Sequence, residues 1–196
     1  EKDILEDSER LIKRFHERGA GAMVQIALAP CSPFSVSTEL MKASAELAHK
    51  QKVRLHTHLA ETHDETAFCE KMFGLRPLDY LESVGWLGDQ TWLAHGIHFN
   101  DDEIGRLGAA GTGICHCPSS NMVLSSGICR TLELQAAGAP VGLGVDGSAS
   151  NDGSNLIQEV RQALLIGRLR YDANEMTHYK ALEFATSGSA RCLGRD

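Results

Sequence analysis

Histidine and carboxyl side chains occur here at spacings that suit metal binding and proton transfer. His56 and His58 are separated by one residue in an apolar stretch, and Glu61 follows shortly after them. If this stretch is a strand, both imidazoles project from the same face. Neutral imidazole is a common ligand of transition metals, and a carboxylate beside a metal can carry protons. A pair of core histidines bonded to backbone groups is the alternative interpretation of this pattern.

Two further polar residues end apolar stretches. His95 ends the stretch 91–95, and Asp146 follows the stretch 141–145 between small neighbours. Because a buried carboxylate is costly unless it is paired or bound to a metal, Asp146 is a candidate metal ligand. A hydrogen-bonded core histidine and a turn aspartate are the respective alternatives.

A polar segment with the sequence Cys115-His116-Cys117-Pro118-Ser119-Ser120-Asn121 places hydroxyl and amide groups on a predicted loop. Such groups could orient a polar ligand, although proline, serine and asparagine also build ordinary turns. Its C-x-C pair lacks the second cysteine pair of a closed zinc site, and we expect all six cysteines of the chain to be free thiols. The chain has neither a G-x-S-x-G elbow nor an H-x-E motif followed by P-C-x-x-C, which argues against a serine nucleophile and a cytidine-deaminase fold.

Alternating helical and strand-like patterns position these residues. We predict strands at 23–29, 53–59, 91–95, 112–116 and 141–145. We predict helices at 3–18, after an N-cap at Ser37, and at 62–73, 77–84, 101–110, 130–137, 156–170 and 176–186, with loops at 118–127 and 146–153. This alternation is typical of parallel βα units, whose strands share one carboxyl edge. His58, His95, His116 and Asp146 are therefore expected at that edge, in one domain or part of one.

The composition favours a globular protein that acts on a small molecule. The chain has 196 residues, of which 42% are hydrophobic and 23% charged. A formal net charge of -7 without a basic run argues against a nucleic acid or an anionic membrane as partner. We find no membrane-spanning apolar stretch and no signal peptide, so we expect a cytoplasmic protein. A homo-oligomer is compatible with this composition.

The chemistry-bearing residues occur in an order that resembles a known family. The set His58-x-x-Glu61, His95, His116-Cys117-Pro118-Ser119-Ser120-Asn121 and Asp146-Gly147 is similar to the amidohydrolase superfamily, in its purine and triazine deaminase branch, over about residues 23–196. The segments look most like those of 8-oxoguanine deaminases, with hydroxyatrazine hydrolases as near relatives. The resemblance implies a (β/α)8 TIM-type barrel, of which the chain supplies strands four to eight with their helices. Residues 1–196 would then form a single partial catalytic barrel domain, without the first strands and the small β domain.

The same resemblance implies roles for single residues. His58 and Asp146 would be ligands of a divalent metal ion, zinc in preference to iron. A single ion is expected because the lysine that bridges two ions in related enzymes is absent. The family also has an H-x-H ligand pair, which we expect upstream because His16 stands alone in a predicted helix. Asp146 and His95 would orient a metal-activated water and take its proton, and Glu61 would protonate the ring nitrogen beside the attacked carbon.

The expected reaction is the hydrolytic deamination of an amino-substituted heterocycle, an oxidised or amino purine such as 8-oxoguanine. The predicted substrate contacts are Cys31, Trp92, Ser119 and Asn121. Two alternatives remain open. One is a related amidohydrolase that acts on a triazine or a ring amide. The other is a half-barrel remnant without catalysis, which should bind zinc weakly or not at all.

Overall fold

The computed structural model describes residues 1–196 as a five-stranded parallel sheet with helices between successive strands. The strands are β1 (Ala27–Leu28), β2 (Arg54–Leu59), β3 (Thr91–His95), β4 (Gly113–His116) and β5 (Val141–Leu143). The helices are α1 (Lys2–Phe15), α2 (Thr38–Gln51), α3 (His63–Phe73), α4 (Pro77–Ser83), α5 (Asp101–Ala110), α6 (Pro118–Val123), α7 (Thr131–Ala137), α8 (Leu156–Gly167), α9 (His178–Glu183) and α10 (Ser189–Cys192). A π-helical turn (Phe184–Gly188) joins α9 to α10.

The spatial order of the strands is β1-β2-β3-β4-β5, so each strand pairs with its neighbours in the sequence. His58 on β2 is paired with Ala94, Ala94 with Cys115, and Cys115 with Gly142. The carboxyl ends of the strands therefore lie at one level, and the loops that follow them share one edge. This confirms the predicted α/β class, and the sheet is consistent with part of a (β/α)8 barrel.

The two faces of β2 differ in burial, as its alternating sequence requires. Leu55, Thr57 and Leu59 are buried, and the two leucines belong to the main hydrophobic core together with Met41 of α2. The two histidines of β2 point to the other face and are partly exposed. The core thus fixes the strand while leaving its imidazoles free for contacts with polar groups. No helix combines the length and the apolar character needed to cross a bilayer.

Side-chain caps fix where several helices begin. The Ser37 side chain accepts a hydrogen bond from Leu40 N at 3.0 Å and starts α2, as predicted. Asn100 and Glu103 form a reciprocal capping box at the start of α5. These starts lie close to the predicted ones because the cap is encoded by residues that are adjacent in the sequence.

β1 is much shorter than the predicted strand 23–29, and that part of the prediction is wrong. Met23 is 86% exposed, and its backbone N–H donates to Glu17 Oε2 at 3.0 Å. The backbone N–H of Ile26 donates to His16 Nδ1 at 3.0 Å. These side-chain contacts occupy donors that a longer ladder would use.

The predicted loop 118–127 contains the helix α6, which is a second correction. Pro118 is the first residue of this helix. At that position the missing N–H of proline costs no intrahelical hydrogen bond, and its fixed φ suits the helix. The remaining polar residues of the segment are thereby placed on a helical turn.

The predicted helix 176–186 begins later, at His178, and continues through the π-helical turn and α10 to Cys192. Gly188 permits this continuation, because a Cβ at that position would lie 2.1 Å from Val141 O. Gly188 therefore lies inside a helical segment, where it allows close contact with β5. The prediction ends the helix earlier because glycine in a sequence favours a helix end. Apart from β1, α6 and this helix, element ends agree with the predictions to within three residues.

Candidate active site

His58 lies near the end of β2, and one hydrogen bond defines its tautomer. Its Nδ1 lies 2.7 Å from Cys31 O. Because a carbonyl oxygen only accepts, Nδ1 carries the hydrogen and Nε2 presents a lone pair. That Nε2 is 3.7 Å from Asp146 Oδ1. A nitrogen lone pair therefore faces a carboxylate oxygen, an arrangement that a cation between them would satisfy.

Asp146 lies in the loop after β5 with a φ of 62°, in the left-handed region that non-glycine residues rarely adopt. Ser120 Oγ donates a hydrogen bond of 2.5 Å to its Oδ2. Burial alone would raise the pKa of the Asp146 carboxyl. The hydrogen bonds from Ser120 and from the backbone of Gly147, with the positive charge that His95 and His58 carry when protonated, outweigh burial and lower that pKa. The carboxylate is consequently ionised at neutral pH.

His95 ends β3, has a φ of 72° and is 1% exposed. Its Nε2 is 3.6 Å from Glu61 Oε2 and 3.7 Å from Asp146 Oδ2. Asn121 Nδ2 donates to Nδ1 of the same ring at 3.0 Å, which leaves the hydrogen of the neutral ring on Nε2. Burial lowers the pKa of His95 to about 4, against the opposing effect of the Asp146 charge. The ring is therefore uncharged at neutral pH.

Glu61 follows β2, after Ala60, which has a φ of 53°. The buried Glu65 of α3 accepts hydrogen bonds from Ala60 N at 2.9 Å and from Glu61 N at 2.8 Å, and so fixes this turn. Burial raises the pKa of the Glu61 carboxyl, and the charge of Asp146 raises it further. Glu61 thus holds a proton more readily than an exposed glutamate does.

These side chains form one compact cluster at the carboxyl edge of the sheet. One ligand atom from each of His58, His95 and Asp146 lies within 4.8 Å of the others. The His58 Nε2 lone pair and the Asp146 carboxylate are donors that zinc accepts. The hydrogen bond from His58 Nδ1 to a backbone carbonyl is the orienting contact that metal-bound histidines usually make. On both counts the residues fit a divalent metal ion.

Two of the four predicted substrate contacts reach the cluster. Cys31 accepts the hydrogen bond from His58, and its Sγ lies 3.9 Å from the same nitrogen. Asn121 contacts His95, as described above. By contrast, the hydroxyl of Ser119 is bonded to Glu159 Oε1 at 2.6 Å and is not free toward the cluster. His116 is buried at the end of β4, and its Nδ1 has no hydrogen-bond partner.

The structure does not bring Trp92 to the cluster. Its ring stacks on His56 at a centroid distance of 4.6 Å, near the start of β3. There Trp92 lines a cavity of about 390 Å³ together with Arg54 and Arg195. This cavity lies toward the opposite end of the strands. This placement does not support a substrate contact for Trp92.

Sequence analysis missed several residues that support the cluster. Glu65 had a signal, since Thr62-x-x-Glu65 is a capping-box pattern, and the Thr62 side chain accepts from Glu65 N at 3.2 Å. Ser120 was noted only as part of the polar segment 115–121, and Glu159 had no signal. Their partners lie 26 and 40 residues away in the chain, so that only the fold joins them.

Comparison of the sequence with known proteins matches residues 1–196 to the amidohydrolase family. The chain is 72% identical over 192 residues to an 8-oxoguanine deaminase of Pseudomonas aeruginosa, covering 98% of this chain and 43% of that protein. It is 43% identical over 197 residues to a hydroxydechloroatrazine ethylaminohydrolase of Pseudomonas sp. strain ADP, covering 98% of this chain and 40% of that protein. The chain therefore spans less than half the length of these curated relatives.

Solved structures show the same fold. An atrazine chlorohydrolase from Arthrobacter aurescens TC1 in complex with zinc superposes with a TM-score of 0.93 at 36% identity, over 99% of this chain and 43% of that one. An adenosine deaminase from Xanthomonas campestris with bound zinc gives a TM-score of 0.93 at 29% identity, over 99% of this chain and 44% of that one. Both similar structures contain zinc.

Proposed function

This chain belongs to the amidohydrolase family, and from that membership we propose that its protein hydrolytically deaminates an amino-substituted heterocycle. The proposed substrate is an oxidised or amino purine such as 8-oxoguanine. The observation that carries the proposal is the cluster itself, in which the His58 lone pair, the buried neutral His95 and the ionised Asp146 converge. The 72% identity to an 8-oxoguanine deaminase supports the choice of substrate class.

One zinc ion is the proposed cofactor, with His58 and Asp146 among its ligands. Two further histidine ligands would come from a part of the protein outside residues 1–196. The chain has no lysine on β1, where related enzymes with two ions carry a bridging one, so we propose a single ion. When bound, zinc would lower the pKa of a water molecule and so make it a nucleophile at neutral pH.

The residues of the cluster divide the proton transfers between them. Asp146, ionised because its pKa is lowered, accepts a proton from the attacking water. His95 orients that water through Nε2, and its low pKa keeps the ring neutral while it does so. Glu61, whose pKa is raised, donates a proton to the ring nitrogen beside the attacked carbon. The proton held by Asp146 then passes to the amino group, which leaves as ammonia as its C–N bond breaks. The hydroxyl on the attacked carbon loses its proton to Glu61 and becomes the carbonyl of the product.

A related hydrolysis of a triazine is the second candidate function. It is favoured by the 43% identity to a hydroxydechloroatrazine ethylaminohydrolase and by the structural similarity to an atrazine chlorohydrolase. The same cluster would serve that reaction, because both reactions replace a substituent on an electron-poor ring carbon with a hydroxyl group derived from water. The residues of the cluster therefore do not distinguish the two substrates.

Substrate profiling of the purified full-length protein tests this proposal. We expect ammonia release from 8-oxoguanine with a kcat/KM at least about tenfold above that for ethylamine release from an N-ethylaminotriazine, a difference of about 1.4 kcal/mol in transition-state binding. The His58→Ala variant is the control for metal-dependent turnover. A faster reaction with the triazine would favour the second candidate, and no turnover of either substrate by zinc-containing protein would contradict both.

A further inference from the structure

Glu159 on α8 is a buried carboxylate without a cationic partner. It is 1% exposed and forms no ion pair. Its oxygens accept three hydrogen bonds: Oε2 from Ser119 N at 3.0 Å, and Oε1 from Ser119 Oγ at 2.6 Å and from Asn151 Nδ2 at 2.9 Å. A buried charge that is stabilised by neutral donors alone is costly, so its presence calls for a role.

The two partners of Glu159 lie on the two segments that hold the cluster. Ser119 is followed on α6 by Ser120, which donates to Asp146 Oδ2, and by Asn121, which donates to His95 Nδ1. One carboxylate therefore fixes the turn of helix that contacts both Asp146 and His95.

The second partner acts on Asp146 from the other side. Asn151 Nδ2 donates to Val145 O at 2.8 Å as well as to Glu159. Val145 immediately precedes Asp146, whose φ of 62° must be held by its surroundings. Through Asn151, Glu159 thus also restrains the backbone from which Asp146 projects.

We propose that Glu159 is a positioning residue, which holds Asp146 and His95 in the geometry that the reaction needs. The expected effect of Glu159 on kcat rests on the proposed function. Its expected effect on the geometry of the cluster does not. Contacts of this kind behind a metal site typically contribute 10- to 100-fold in metal affinity or activity.

The test compares Glu159→Gln with wild type in the full-length zinc protein. Glutamine keeps the volume of glutamate but turns an amide N–H toward a donor, because all three partners of Glu159 donate. We expect kcat at saturating zinc to fall about 10- to 100-fold with KM changed less than about threefold, and zinc affinity by chelator competition to fall by a similar factor to kcat.

Glu133→Gln is the matched control. Glu133 is a partly buried carboxylate on α7 whose partners are Arg130, Arg170 and Tyr171. The Glu133→Gln variant should have a lower melting temperature than wild type, yet its kcat and zinc affinity should stay within about twofold of wild type. Ser119→Ala, which removes one of the same hydrogen bonds, should give a smaller loss of kcat that is not additive with Glu159→Gln, and it replaces that variant if the latter does not fold.

Three outcomes would overturn the inference. They are unchanged kcat and zinc affinity in Glu159→Gln, equal losses in Glu159→Gln and Glu133→Gln, and additive losses in the double variant with Ser119→Ala. If wild type binds zinc but releases no ammonia, the proposed function fails, and the change in zinc affinity still decides the role of Glu159.

Discussion

The two carboxyl groups of the cluster lie in environments that move their pKa values in opposite directions. Burial and the neighbouring negative charge raise the pKa of Glu61. Burial raises the pKa of Asp146, but hydrogen bonds from Ser120 and the backbone of Gly147, together with the positive charge that His95 and His58 carry when protonated, outweigh it and lower that pKa. Pairs of this kind are suited to an acid and a base in one reaction. At the scale of the residue, these opposite shifts support the proposed proton donation by Glu61 and proton acceptance by Asp146.

Glu61→Gln and His58→Ala should affect metal and turnover differently in the full-length protein. Glu61 has no proposed contact with the metal, so Glu61→Gln should retain zinc while kcat falls by about 10²–10⁴-fold, as is typical for loss of an acid–base group. His58→Ala removes a ligand, so zinc content and activity should fall together. The measurement is metal analysis paired with ammonia release. Loss of zinc in Glu61→Gln, or near-normal turnover with zinc in place, would show that its assigned role is wrong.

At the scale of the element, Gly108 on α5 allows this helix to approach α7 closely. A Cβ at Gly108 would lie 2.1 Å from Ala137 O, whereas a Cβ at Gly105 would meet no atom within 4 Å. The two helices flank the strands that carry His95 and His116. α5 connects β3 to β4 and α7 connects β4 to β5, so the close approach joins two successive crossover helices.

Alanine at these two positions should change stability in opposite directions. Gly108→Ala forces a Cβ into a backbone carbonyl and should lower the free energy of unfolding by about 1–3 kcal/mol. Gly105→Ala on the same helix should raise it by about 0.5–1 kcal/mol, because alanine loses less backbone entropy in a helix. Urea unfolding of the two variants measures both values. Equal effects of the two substitutions would contradict the close approach of α5 and α7.

The elements of this chain were predictable to different degrees. β3 and α5 match the predicted bounds because local signals at their ends, such as the capping box at Asn100, define them. The bounds of β1 and α6 did not match, since the side chains of His16 and Glu17 bond to the backbone before β1 and proline begins α6. The clustering of His58, His95 and Asp146 followed from parallel topology. The supporting contacts of Glu159 could not be predicted, because its partner Ser119 is distant in the sequence.

At the scale of the whole molecule, buried uncharged histidines couple stability to pH. Burial lowers the pKa of His116 to about 3 and, less strongly, that of His95 to about 4. Both values are depressed below the unfolded value of about 6.5. The stability that these rings contribute is therefore fully present above pH 6.5 and is lost as pH falls toward their folded pKa values.

The pH dependence of unfolding should change when His116 is replaced. Between pH 6.5 and 4, each buried neutral histidine adds up to about 1.4 kcal/mol per pH unit to the slope of the unfolding free energy. In metal-free protein, His116→Asn should remove one such contribution, whereas His178→Asn on the surface of α9 should leave the slope unchanged. Urea titrations across this range provide the slopes. An unaltered slope in His116→Asn would mean that the ring does not stay neutral in the folded protein.

Removal of the metal tests most directly whether the cluster catalyses the proposed deamination. Zinc is stripped from the full-length protein with a chelator and is then returned in measured amounts while ammonia release from 8-oxoguanine is recorded. We predict that the stripped protein loses nearly all activity and that activity returns in proportion to added zinc, reaching its maximum at one ion per chain. Activity that survives complete removal of the metal, or that needs a second ion for its maximum, would contradict the account.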